Sequence, residues 1–143
     1  MAETTRVSLM LKMVHHAFAR RLNRNIEALG LTKAQCDVLG YLQRHEGETV
    51  YPADLEHRLR LQGPTVTGLV KRLAEKGFVQ TLPSATDGRR KELRLTDKSR
   101  AMHEGMLCYL DEQEEVLLHG LSSAERETLR RLLGVMLSNM QDE

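Results

Sequence analysis

One stretch of the chain, residues 52–95, constrains the fold more than any other. An amphipathic segment over residues 52–59 precedes a turn-forming triplet at 62–64, and a second helix pattern over 65–76 stops at Gly77. Two short strand-like runs follow and flank a turn with the sequence DGRRK. A positioning helix, a recognition helix and a basic hairpin in this order predict a winged helix-turn-helix, a layout suited to gripping duplex DNA.

The rest of the chain predicts further helices. Apolar residues recur every three or four positions over residues 8–29, which predicts a long first helix. Thr32 is followed three positions later by Gln35, a capping-box pattern that starts a second helix. The same pattern at Ser122 starts a sixth helix, after a fifth over about residues 97–119. The predicted fold class is therefore mainly α with a small antiparallel β wing.

Helices 1, 5 and 6 carry more apolar surface than one small winged domain can cover. In a two-fold dimer this surface would be buried against its own copy, and the dimer would set the spacing of two recognition helices. We therefore expect a homodimer, with a winged helix-turn-helix DNA-binding domain at residues 31–96. The helical dimerisation region is predicted at residues 1–30 and 97–143. A helical extension packed within a monomer is the alternative that this pattern leaves open.

Charge is unevenly distributed along the chain, although the formal net charge is only +1. Residues 58–94 hold nine Lys and Arg against three acids, whereas residues 101–143 hold nine acids against three Arg. Each phosphate that a protein neutralises releases counterions, so the basic segment is expected to face DNA. The acidic segment is expected to point away from it.

Composition excludes several other settings. No apolar run approaches the roughly 20 residues that span a bilayer. The apolar run near the N-terminus is interrupted by Lys12, His15 and His16, so it does not form a signal-peptide core. We expect a cytoplasmic protein with no membrane partner, and in that reducing compartment Cys36 and Cys108 are expected as free thiols.

Polar residues of the recognition helix are the first candidates for DNA contacts, because the N-terminal half of such a helix enters the major groove. Glutamine can pair with adenine, threonine can contact thymine, and cations bind phosphates. The contacts predicted on this helix are Gln62, Thr65, Thr67, Lys71 and Arg72. Thr65 is an equal candidate for a helix cap. Gly68 costs the helix roughly 1 kcal/mol, and either close approach to DNA or close helix packing would explain it.

The basic turn is the second candidate surface. A narrow minor groove attracts arginine through its negative potential, so Arg89 is the first candidate there. Arg90 or Lys91 is expected to hold phosphates, and both are counted among the predicted DNA contacts. The alternative is a basic turn that is only solvated.

A family resemblance adds to this picture. The segment PTVTGLVKRLAEKGFV, the later DGRRKELRLT, the upstream LTKAQCDVLGYL and the downstream LTDKSRAM together resemble the MarR family of bacterial transcription regulators. The resemblance extends from about Leu9 to Met140. It implies a dimeric repressor that binds a pseudo-palindromic operator in double-stranded DNA and is released by an effector. It also implies that Arg89 enters the minor groove and that Asp87 orients it through a salt bridge.

The resemblance further implies a site for a small anionic or aromatic ligand between the dimer helices and the DNA-binding lobe. The candidate effector-binding residues are His15, His16, Arg20, Cys36 and His45, and the candidate apolar wall is Met10, Met13, Met102 and Met106. The alternative is that the methionines are core residues and the histidines are exposed or satisfied.

Other classes of function find less support. The chain has no P-loop, Gly-rich dinucleotide turn, HExxH or GxSxG motif, so we expect no enzyme, no catalytic residue and no cofactor. Its histidines and cysteines form no tight ligand cluster, so no metal site is predicted. Two alternatives stay open: a thiol- or metal-responsive regulator of the same fold, and a winged-helix protein-interaction module. The DGRRK turn argues against the second, because an interaction module does not need it.

Overall fold

The structure, a computed structural model, describes residues 5–141 and confirms the predicted fold class. In chain order, the elements are α1 (Val7–Ala28), α2 (Lys33–Arg44), α3 (Pro52–Arg58), α4 (Gly63–Glu75), β1 (Val79–Pro83), β2 (Lys91–Leu95), α5 (Asp97–Leu117) and α6 (Ser123–Met140). The two strands pair antiparallel, with Val79 opposite Leu95 and Pro83 opposite Lys91. Within residues 5–141, no helix combines the length and apolar character that crossing a membrane requires.

The chain divides into two compact units, the first ending at Met106 and the second beginning at Leu107, so the boundary falls within α5. The first unit contains α1 together with the helix-turn-helix and the wing. This division follows packing within one chain, whereas the predicted dimerisation region concerns two chains. The assignment of residues 1–30 and 97–143 to dimerisation stays a prediction.

Both predicted capping boxes are confirmed. The backbone N–H of Gln35 donates to Thr32 Oγ1, and the N–H of Thr32 donates to Gln35 Oε1, each at 3.2 Å. Ser122 and Glu125 make the same reciprocal pair at the start of α6. Each box satisfies N–H groups that a helix start otherwise leaves without partners, so these two starts follow from local sequence.

The start of α4 corrects the predicted turn. The helix begins at Gly63, two residues earlier than expected, after Gln62 in extended conformation. Pro64 lies in the first helical turn, where its missing N–H costs no hydrogen bond. The break between α3 and α4 therefore lies over residues 59–62, and it includes Arg60 at φ +53°. Thr65 lies within the first turn and is not the N-cap residue.

The sheet is larger than predicted. β1 extends to Pro83 and β2 starts at Lys91, so the wing is longer than the two short apolar runs indicated. Val50 forms an isolated antiparallel bridge with Leu93 outside these two strands, in which the Val50 carbonyl accepts from the N–H of Leu93 at 2.8 Å. The segment before α3 is therefore fixed to the inner strand of the wing.

The core lies between α2, α3, α4 and the sheet. Leu55 of α3, Leu73 of α4 and Val38 of α2 are fully buried, and Val66 is 1% exposed. Truncating a leucine in such a core costs about 2–5 kcal/mol. This packing sets the orientation of α4 relative to the wing.

Helices α1 and α6 have no buried residue in the single chain. Apolar side chains that remain largely exposed include Val7, Met10, Met13, Val135, Leu137 and Met140. Exposed apolar surface of this extent is typical of an interaction surface.

Candidate nucleic-acid interface

Helix α4 presents one polar face to solvent. Its apolar residues Val66, Leu69, Val70 and Leu73 are buried in the core. The five residues predicted to contact DNA from this helix are all exposed: Gln62, Thr65, Thr67, Lys71 and Arg72. The core thus holds the helix from one side and leaves the opposite side open to a partner.

Gln62 and Thr67 differ in whether their side chains already form a hydrogen bond with the helix backbone. Gln62 makes no side-chain cap hydrogen bond to the helix, so its amide is available to a base edge. The hydroxyl of Thr67 donates to the carbonyl of Gly63 at 3.0 Å. The hydroxyl oxygen of Thr67 can still accept a hydrogen bond, and its methyl group can still contact thymine.

Gly68 has no packing role within the described chain. A Cβ atom built at this position meets no heavy atom within 4 Å. Within residues 5–141, close packing against another helix or strand therefore does not explain why α4 has a glycine at this position. Close approach to DNA remains as the explanation that the sequence offered.

The wing turn is organised by Asp87, although not in the expected way. Asp87 Oδ1 accepts from the backbone N–H of Arg89 at 3.0 Å, and the Asp87 carbonyl accepts from the N–H of Arg90. The expected salt bridge between the Asp87 carboxylate and the Arg89 guanidinium is absent from this structure, because the carboxylate serves the backbone turn instead. Arg89, Arg90 and Lys91 are exposed.

Tyr51 and Ser84 form a contact that the sequence did not reveal. The hydroxyl groups of Tyr51 and Ser84 are 2.9 Å apart, and the Arg90 guanidinium lies 3.6 Å from the centroid of the Tyr51 ring. Ser84 also accepts from the backbone N–H groups of Thr86 and Asp87, each at 3.3 Å. Tyr51 and Ser84 are 33 positions apart, so no local pattern could pair them.

Not every cation of the basic segment is free for phosphate. Lys76 Nζ donates to the carbonyl of Gly30 at 2.6 Å and to Gln35 Oε1 at 2.9 Å, which ties the end of α4 to the loop before α2. Arg94 pairs with the buried carboxylate of Glu92 at 3.3 Å. Lys76 and Arg94 are therefore weaker phosphate candidates than the exposed cations of α4 and the wing tip.

Two of the five candidate effector residues line different grooves, and the other three lie exposed on α1. Cys36 lines a groove of about 140 Å³ with Leu39, Leu95, Met102, His103 and Met106. His45 lines a separate crevice, stacks on Tyr41 with ring centroids 4.2 Å apart, and lies 2.9 Å from Glu48. His15, His16 and Arg20 are exposed on α1 and line neither.

Of the candidate methionine wall, Met102 and Met106 lie in the groove beside Cys36, whereas Met10 and Met13 are exposed on α1. Residues 5–141 contain no group of three His, Cys, Asp or Glu side chains able to hold a metal ion.

Cys36 is expected to be a slow-reacting thiol. Burial raises the pKa of the Cys36 thiol above its ordinary value, and the neighbouring Asp37 carboxylate raises it further. A raised pKa lowers the thiolate fraction at neutral pH, so alkylation by iodoacetamide should be slow and should accelerate as pH rises. Cys36→Ser and Cys108→Ser variants allow each thiol to be measured alone. This expectation would be contradicted if a low concentration of hydrogen peroxide released DNA from the wild-type protein but not from the Cys36→Ser variant.

An exposed polar helix face, a helix-turn-helix core and a basic hairpin together define a winged helix-turn-helix regulator. A profile of the MarR family matches residues 29–90. The HTH-type transcriptional repressor IacR of Pseudomonas putida is 27% identical over 131 residues, which cover 92% of this chain and 77% of IacR.

Solved structures of Staphylococcus aureus MepR extend the comparison. In a MepR–DNA complex, the MepR chain aligns with this chain at a TM-score of 0.80 and 30% sequence identity. The alignment covers 94% of this chain and 99% of the MepR chain. MepR bound to ethidium bromide is 30% identical with a TM-score of 0.73, at 96% and 98% coverage. The chain belongs to the MarR family of transcription regulators.

Proposed function

We propose that this protein is a homodimeric repressor that binds a pseudo-palindromic operator. In each subunit, α4 enters the major groove with Gln62, Thr65 and Thr67 toward the bases. Lys71 and Arg72 bind phosphates, as do Arg90 and Lys91 of the wing. Arg89 enters the adjacent minor groove. The observation that carries the proposal is the exposed polar face of α4 beside a wing tip with three exposed cations.

The homologous MepR–DNA complex supports this use of the fold, and the name of IacR supports repression rather than activation. The exposed apolar faces of α1 and α6 support the dimer, because a second copy would cover them. Gly68 fits the same arrangement, since a helix without a side chain at this point can lie closer to DNA.

Selection from a pool of random duplexes tests this function directly. We expect enrichment of one sequence with inverted half-sites, bound at least about 1,000-fold more tightly than a scrambled duplex of equal length. Placing the selected duplex upstream of a reporter gene should lower its transcription. Failure to enrich any duplex would instead favour the winged-helix protein-interaction module.

We further propose that a small aromatic ligand releases the protein from DNA. The groove beside Cys36 supports this, because Leu39, Met102 and Met106 give it an apolar lining and methionine adapts to different shapes. The MepR structure with ethidium supports an aromatic ligand class. Thermal-shift measurements with phenolic acids, aromatic cations, zinc and peroxide compare the candidate signals. We expect an aromatic ligand to stabilise the wild-type protein against heat and to release it from DNA, and we expect Met102→Glu to abolish the stabilisation. If zinc alone stabilises the protein, a metal-responsive regulator is favoured instead.

A further inference from the structure

We infer that Tyr51 is a positioning residue that fixes the wing relative to the helix-turn-helix and thereby places Arg89 for DNA. This inference rests on the proposed DNA-binding function. It goes beyond that function by assigning a role to Tyr51 and Ser84, which lie outside the predicted DNA-contacting set.

The backbone of Tyr51 is held on both sides. Its N–H donates to Asp54 Oδ2 at 2.8 Å, and its carbonyl accepts from the Asp54 N–H at 3.0 Å, at the start of α3. The preceding residue, Val50, is bonded to Leu93 of β2. Tyr51 therefore moves with both the positioning helix and the base of the wing.

The side chain of Tyr51 reaches the wing turn through Ser84. Ser84 is 6% exposed, and its Oγ atom accepts from two successive N–H groups of the turn, those of Thr86 and Asp87. The Ser84 N–H donates to the carbonyl of Arg90 at 2.9 Å, which closes the turn at its base. The hydroxyl pair of Tyr51 and Ser84 thus joins α3 to the backbone that carries Arg89.

The Tyr51 ring adds a second link, since the Arg90 guanidinium lies over it at 3.6 Å. Arg90 and Arg89 are adjacent, so holding Arg90 on the ring restricts the wing tip. Among residues 5–141, the Arg89 guanidinium has no ion pair, side-chain hydrogen bond or ring contact. The Arg89 guanidinium is thereby free to contact DNA, on a turn that two neighbouring contacts fix.

A double-mutant cycle on the full-length protein tests this role. Tyr51→Phe removes the hydroxyl and retains the ring, so it should weaken binding to the selected duplex on the order of 3- to 10-fold. The salt dependence of binding should stay the same, because no cation is lost. In an Arg89→Ala background, the same substitution should have a much smaller effect on affinity, because Tyr51 acts mainly by placing Arg89. Ser84→Ala should reproduce this pattern.

Tyr41→Phe is the matched control. Tyr41 is buried and stacks on His45, and within residues 5–141 it makes no hydrogen bond or ring contact with the wing turn, so any effect of its substitution should be the same with or without Arg89. A Tyr51→Phe effect that simply adds to that of Arg89→Ala, or no Tyr51→Phe effect at all, would overturn the positioning role. The proposed function would still hold in that case if the wild-type protein binds the duplex and Arg89→Ala weakens this binding. A wild type that binds no duplex refutes the function itself.

Discussion

Arg89→Ala is expected to weaken binding to the selected duplex by about 1–3 kcal/mol, which is roughly 5- to 150-fold. Arg89 is exposed at the wing tip and its guanidinium makes no contact there that stabilises the fold. The free energy of unfolding should therefore change by less than about 0.5 kcal/mol. Fluorescence anisotropy with labelled duplex measures the first quantity, and denaturant unfolding measures the second.

Arg44→Ala is a suitable control for Arg89→Ala. It removes the same charge from an exposed position at the end of α2, outside α4 and the wing. Its effect on affinity should be much smaller than that of Arg89→Ala. Equal effects of the two substitutions would mean that only the overall charge matters and that the wing does not enter a groove.

The second large effect concerns assembly. Sedimentation at micromolar concentration should give twice the chain mass of 16.3 kDa. Leu133→Glu places a charge within the apolar stripe of α6, and the two-fold axis places it twice in the interface. An uncompensated buried charge costs about 3–5 kcal/mol, so dimer dissociation should rise by at least about 100-fold and DNA affinity should fall with it.

Ser138→Glu tests whether the face of α6 matters rather than the added charge. Ser138 is exposed and lies on the opposite side of the helix from Leu133, five residues away. This variant should remain a dimer and keep its DNA affinity. A wild type that sediments as a monomer, or a Leu133→Glu variant that remains a dimer, would contradict the predicted interface.

Features that the sequence predicted correctly are those that neighbouring residues decide. The capping boxes at Thr32 and Ser122 involve residues three positions apart, and the burial of α4 follows from the spacing of its apolar residues. The start of α4 lies two residues before the predicted one, because Gly63 and Pro64 are also typical of a break between helices. Proline is tolerated in a first helical turn, so the same dipeptide is compatible with a helix start.

The parts that the sequence missed depend on contacts between distant residues. The bridge from Val50 to Leu93 and the hydroxyl pair of Tyr51 and Ser84 form only after the core has assembled. The Asp87 carboxylate illustrates a different limit: the family resemblance implies a salt bridge to the Arg89 side chain, but the backbone N–H of Arg89 is the partner. The effector site stays a prediction, because it is expected between the dimer helices and the DNA-binding lobe and the structure contains one chain.

The dependence of affinity on salt, measured on the selected duplex and on one isolated half-site, tests the central claim most directly. Three or four phosphates neutralised by each subunit give about 6–8 for a dimer, and hence a slope of log affinity against log salt of about −5 to −7. The half-sites should lie about one helical turn apart, and an isolated half-site should bind far more weakly. A slope near −2, or equal affinity for the isolated half-site, would contradict a dimer that grips DNA with two recognition helices and two wings.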